Sequence, residues 1–128
     1  GITMNLQTQE NVTMLQSGKK GDFEAYFTFW SGRPDPDGNA YTHFVCEGAQ
    51  NDGHYCNKDL DALLLKARQV ADSKERKKLY DQAIEIVLRE TPALMLWHRR
   101  VFTGLSIKVQ GFTPHPDGII RLRGLKLS

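Results

Sequence analysis

Between Tyr26 and Asn39 the sequence reads Tyr-Phe-Thr-Phe-Trp-Ser-Gly-Arg-Pro-Asp-Pro-Asp-Gly-Asn, and it changes character at one residue. Up to Trp30 it is aromatic and apolar, the composition of a strand covered on both faces. After Trp30 it is a loop with little freedom. Pro34 and Pro36 lock φ, Gly32 and Gly38 permit angles closed to other residues, and Asp35 and Asp37 can bond their own backbone. A rigid loop at the carboxyl end of a buried strand is where α/β proteins meet ligands. Aromatic surface beside a few charged groups is also what a small-molecule pocket requires.

The flanking segments suggest an α/β arrangement. Ile2, Met4 and Leu6 alternate with polar residues, as in a strand entered at once. Thr8 is placed to cap a short helix to about Lys20, with Val12 and Leu15 on one face and Gly18 and Gly21 at its end. A strand from about Glu24 to Trp30 would complete a βαβ crossover and a parallel pair. Residues 31–57 read mostly as loop, with one helical turn at Tyr41–Val45. Asn57 caps a helix whose apolar stripe is Leu60, Leu63, Leu64, Ala67, Val70 and Ala71. Asp72, with Glu75 three residues on, starts a second helix buried through Leu79, Ala83, Ile86 and Val87 and stopped at Thr91-Pro92. Ala93–Trp97 is a further strand candidate, and Pro114–Gly118 a tight turn. In the last segment Ile120 and Leu122 have the opposite parity from Leu125 and Leu127, so a bulge at Gly124 is needed for one apolar face.

The totals exclude several classes. The 128 residues permit one domain with a modest core. A net charge of +2, with basic residues scattered apart from adjacent pairs such as Arg99-Arg100 and Lys77-Lys78, gives no case for nucleic acid. The chain opens at Gly1 without a signal-type block, in the manner of a piece cut from something longer. No Gly-x-Ser-x-Gly elbow, phosphate-cradling glycine loop or His-Glu-x-x-His occurs, and His43, His54, His98 and His115 are dispersed. No catalytic residues and no cofactor are therefore assigned, and the chain reads as a non-enzyme. If the protein is exported, Cys46 and Cys56 are expected to form a disulfide. The rival is a small zinc-dependent enzyme using His43, Cys46, His54 and Cys56, whose spacings match no common zinc pattern.

Trp30-Ser31-Gly32 with Asp35-Pro36-Asp37-Gly38-Asn39 resembles the tryptophan-and-aspartate segment of bacterial extracellular solute-binding proteins of the dipeptide/oligopeptide type (family 5). Further matches follow in order at Tyr55–Asn57, Leu60–Leu64, Glu75–Tyr80, Pro92–His98, Val109–Phe112 and His115–Gly118. The resemblance implies the C-terminal part of a two-lobed, periplasmic-binding-protein type II-like fold. Residues 1–100 would belong to the second lobe, and 101–128 would return to the first. It implies a periplasmic protein that captures a peptide-like or anionic solute between lobes and presents it to the membrane permease of an ABC importer. Trp30, Ser31, Gly32, Arg33, Asp35 and Asp37 would form one ligand wall. Where peptide-binding members carry an aspartate for the ligand's amino group, three residues after the tryptophan, this chain carries Arg33. That favours a carboxylate or phosphate, unless Arg33 pairs with Asp35 or Asp37 and only braces the loop. Without the other lobe, the C-terminal segment would leave an open strand edge through which the chain self-associates or swaps.

Overall fold

In a computed structural model describing residues 1–98 and 100–128, four helices precede one pair of short strands. They are α1 (Asn11–Lys20), α2 (Asp37–Phe44), α3 (Lys58–Gln69), α4 (Ser73–Glu90), β1 (Val109–Gln110) and β2 (Lys126–Leu127). The architecture is a small mixed one in which α2 packs on α3 and α3 on α4, while the strands pair only with each other. Arg99, half of one basic pair, lies outside the described residues.

The helical hairpin forms where the apolar stripes place it. Asn57 Oδ1 accepts from the amides of Asp59 and Leu60, satisfying two donors that the first turn of α3 leaves open. Asp72 does the same for Glu75 at the start of α4. Leu60 and Leu64 of α3 cluster with Ala83 and Val87 of α4, and Ala67 and Leu79 are buried as well. Leu60 and Leu64 are enclosed completely, each contributing about 2–3 kcal/mol of apolar transfer. α4 ends at Thr91, whose left-handed backbone returns its N–H to Val87 O at 2.8 Å.

α2 is longer than the single turn expected at Tyr41–Val45. It begins at Asp37, directly after Pro36, whose fixed φ suits a helix start. Phe44 at its end and the following Val45 complete the core. Cys46 and Cys56 are joined with 10 residues of separation and Cα atoms 4.2 Å apart. The intervening loop is organised by Asn51, which donates to the carbonyls of Val45 and Tyr55 and accepts from Tyr55 N. Cys46 N donates to Asp61 Oδ1, tying the loop to α3.

The βαβ unit is not formed among the described residues. Residues 2–6, 24–30 and 93–97 carry no ladder, and their large apolar side chains face solvent: Ile2 is 94% and Met95 81% exposed. The physical reason lies in α1, which packs on no other element, so no crossover holds two strands parallel. It is also shorter at its start than expected, capped by Glu10 rather than Thr8. Its end is as expected, with Gly21 left-handed and its N–H bonded to Gly18 O. The C-terminal pair is antiparallel, Val109 opposite Leu127 and Gln110 opposite Lys126. Gly124 is not a bulge. It sits in a turn closed by Leu125 N to Leu122 O, at a positive φ of 89°, and Leu122 and Leu127 stay exposed.

Candidate functional site

The loop between Trp30 and α2 is built around Asn39, in the first turn of that helix. Its Oδ1 accepts from the Trp30 indole N–H at 2.9 Å and from Arg33 N at 2.7 Å. Its Nδ2 donates to Arg33 O at 2.8 Å and Asp35 O at 3.1 Å. A single amide thus closes the whole bend, because it can both donate and accept twice. Asp35 Oδ1 accepts from Asp37 N, the local turn expected of this residue type.

Both aspartates face the helical hairpin. Arg76 of α4 holds Asp35 through two parallel hydrogen bonds, Nη1 to Oδ2 at 2.8 Å and Nη2 to Oδ1 at 2.6 Å. The fork geometry of guanidinium and carboxylate makes this a directional clamp rather than a loose ion pair. Arg76 Nε also donates to Ala67 O at the end of α3, so one side chain joins three segments. The guanidinium contact, reinforced by Asp37 N, holds the Asp35 carboxyl down at about 2. Asp37 lies 3.2 Å from Arg68 Nε, and that guanidinium stacks 4.0 Å from the Tyr41 ring centre. Asp37 Oδ1 is buried without a hydrogen-bond partner, so this second contact is an ion pair without directional alignment.

The outer face of the bend belongs to Trp30, Ser31 and Arg33. The indole stands edge-on to the His43 ring at 4.6 Å and is 40% exposed. The Arg33 guanidinium lies over the indole ring, 4.3 Å from its centre. Arg33 Nη1 donates to Ser31 Oγ and Gly32 O. Gly32 has a φ of 76°, which lets the chain turn so that its carbonyl meets that guanidinium. His43 Nδ1 lies 2.8 Å from Asn39 O. Burial pushes its pKa down, against the effect of that hydrogen bond.

The structure therefore brings together all six residues assigned to the ligand wall and divides them. Asp35 and Asp37 are turned to the scaffold, and Trp30, Ser31, Gly32 and Arg33 to the outside. Arg33 does not pair with either aspartate, contrary to the bracing alternative; Arg76 and Arg68 occupy them. Sequence reasoning missed Asn39, Arg76 and Arg68 as loop-forming residues. Arg76 lay inside a quoted motif, but its partner is 41 residues away, beyond any local spacing rule. The proposed zinc ligands do not converge. Cys46 and Cys56 are consumed by their disulfide, and no group of three or more potential ligands is gathered among the described residues.

Along most of its length the chain is homologous to bacterial dipeptide- and tripeptide-binding proteins, consistent with the C-terminal portion of a family 5 solute-binding protein. It is 32% identical over 120 residues to the di/tripeptide-binding protein 4 of Pseudomonas aeruginosa, covering 91% of this chain and 22% of that protein. It is 30% identical over 122 residues to the dipeptide-binding protein of Escherichia coli, covering 92% of this chain and 23% of that protein. It is also 31% identical over 131 residues to the heme-binding protein A of Haemophilus influenzae, covering 99% of this chain and 24% of that protein. The chain thus spans between a fifth and a quarter of the length of these relatives. No protein-family model matches it. These relatives are named as binding proteins rather than enzymes, and among the described residues no helix is long and apolar enough to cross a membrane.

Proposed function

We propose that this chain is the C-terminal part of a two-lobed periplasmic solute-binding protein that captures a peptide-like or anionic solute for the permease of an ABC importer. Residues 1–100 contribute to the second lobe, and 101–128 return towards the first. The bend from Trp30 to Asp37 is one wall of the ligand site, and capture, not catalysis, is its task. One observation carries this reading: the bend is fastened from behind by Arg76 and Arg68, leaving an aromatic face and a guanidinium outward. A preformed wall costs little ordering on binding. The disulfide suits an oxidising compartment such as the periplasm. The exposed apolar segments 2–6, 27–30 and 94–97 are surfaces for a sheet completed by the rest of such a protein.

The test is titration of the intact protein with a panel of dipeptides and tripeptides, followed by calorimetry and tryptophan fluorescence. Saturable binding that moves the emission of Trp30 is expected. An intact, folded protein that binds none of the panel and no other small solute would remove the proposal.

A further inference from the structure

The charges around the bend do not cancel within the chain. Asp35 is engaged by Arg76 and Asp37 by Arg68, so each carboxylate already has a cationic partner. Arg33 has the opposite standing. Among the described residues its guanidinium meets no carboxylate; it touches only the neutral oxygens of Ser31 and Gly32 and the face of Trp30. Nη1 is committed to those two oxygens, whereas Nε and Nη2 have no partner among the described residues. The stem is positioned as firmly as the head. Its Cβ and Cγ lie against Gly38, where an added methyl would come within 2.9 Å of both. The Arg33 backbone is held at both N–H and C=O by Asn39.

A guanidinium fixed at its stem, its backbone and one nitrogen, but left with an open donor edge, is arranged for an oxyanion. Stacking on the indole lowers the solvation of the cation without neutralising it, so an incoming anion regains what the stack removed. We infer that the solute taken by this site is an organic anion whose carboxylate or phosphate docks on the Nε–Nη2 edge of Arg33 above Trp30. The ligand class is thereby set by negative charge at this wall rather than by a free amine. This inference rests on the capture reading above.

The experiment compares three probes on the intact protein by calorimetry: dialanine, N-acetyl-dialanine and dialanine amide. Inorganic phosphate is added as a competitor. A lost charge-assisted hydrogen bond weakens affinity roughly ten- to a hundredfold. The amide is therefore expected to bind at least about tenfold more weakly than dialanine, and the N-acetyl form as well as dialanine. Arg33→Gln should erase the difference between acid and amide, and Arg33→Lys should restore part of it. Gly38→Ala, which leaves the guanidinium intact but displaces its stem, should weaken the acid and not the amide. Competition by phosphate indicates the tetrahedral form of the same chemistry, and its absence the planar form; both support an oxyanion site. Binding that is indifferent to the amide and to Arg33→Gln, or abolished by N-acetylation, overturns the inference while capture stands. Failure of all three probes and of every other small solute removes the capture reading and this inference with it.

Discussion

Opening the Cys46–Cys56 bond gives the sharpest energetic test of how the candidate site is supported. The bridge closes a loop of 10-residue separation between the end of α2 and the start of α3. In the chain-entropy description, a loop of that size removes about 9 cal/mol/K from the unfolded ensemble, or about 2.7 kcal/mol at 25 °C. The native loop has other ties besides the bond. Asn51 links Val45 and Tyr55, and Cys46 N donates to Asp61. Reduction should therefore leave the helical circular-dichroism signal at 25 °C unchanged. The packed helical unit is α2 to α4, and for a unit of that size the loss lowers Tm by about 10–20 °C. Cys56 is exposed, so a mild reductant reaches it. The assay is thermal melting of oxidised and reduced chains, with the Cys46→Ser, Cys56→Ser double variant as a control against the reductant itself. If all three melt within about 3 °C of one another, the loop-closure reasoning fails. Loss of helix before heating would refute the claim that Asn51 and Asp61 hold the loop unaided.

Other outcomes follow from the same contacts. Asn39→Ala removes four hydrogen bonds and leaves the Trp30 indole N–H without its acceptor, so Trp30 emission should shift red and stability fall by about 1–3 kcal/mol, read from fluorescence and chemical denaturation. An unmoved spectrum would show that the bend is held elsewhere. Leu64→Ala, at a fully buried position, should cost about 2–5 kcal/mol in the same denaturation assay. Acid should weaken the fold in two stages, because both relevant groups have folded pKa values below their ordinary ones. The share from His43 is present above about pH 6.5 and is lost as pH falls towards its lowered value, and that from Asp35 is present above 3.8 and is lost towards about 2. His43→Gln should abolish the first stage, and a melting profile flat from pH 7 to 5 would contradict it. The isolated chain, with its aromatic and apolar segments uncovered, should self-associate with rising concentration, as light scattering would show; a strict monomer at millimolar concentration counts against this.

What was legible in the sequence was local. Asn57, Asp72 and Thr91 mark helix ends through bonds made within a few residues, and the Leu60–Ala67 stripe repeats at the period of the helix that buries it. The two cysteines lay close enough along the chain for their pairing to be read. The strands were not legible in the same way, because a strand is defined by a neighbour. Phe27 and Trp97 do come together, ring centres 5.5 Å apart, yet without a ladder the segments carrying them are not a sheet. In the bend, the turn residues announced its rigidity, but not which charges would cancel. Asp35 stood two residues from Arg33 and was engaged by Arg76 instead, because the first turn of α4 brings that guanidinium to both carboxylate oxygens. No pattern within either segment encodes such a meeting.

The fastening of Asp35 by Arg76 separates two duties that many recognition loops ask of the same side chains. Here the anchors sit on the inner side and Ser31 and Arg33 on the outer, so these two can be exchanged while the carboxylate–guanidinium clasp goes on holding the frame. If the bend is the ligand wall proposed above, a handful of substitutions at the front would redirect what it takes while Arg76 goes on holding Asp35.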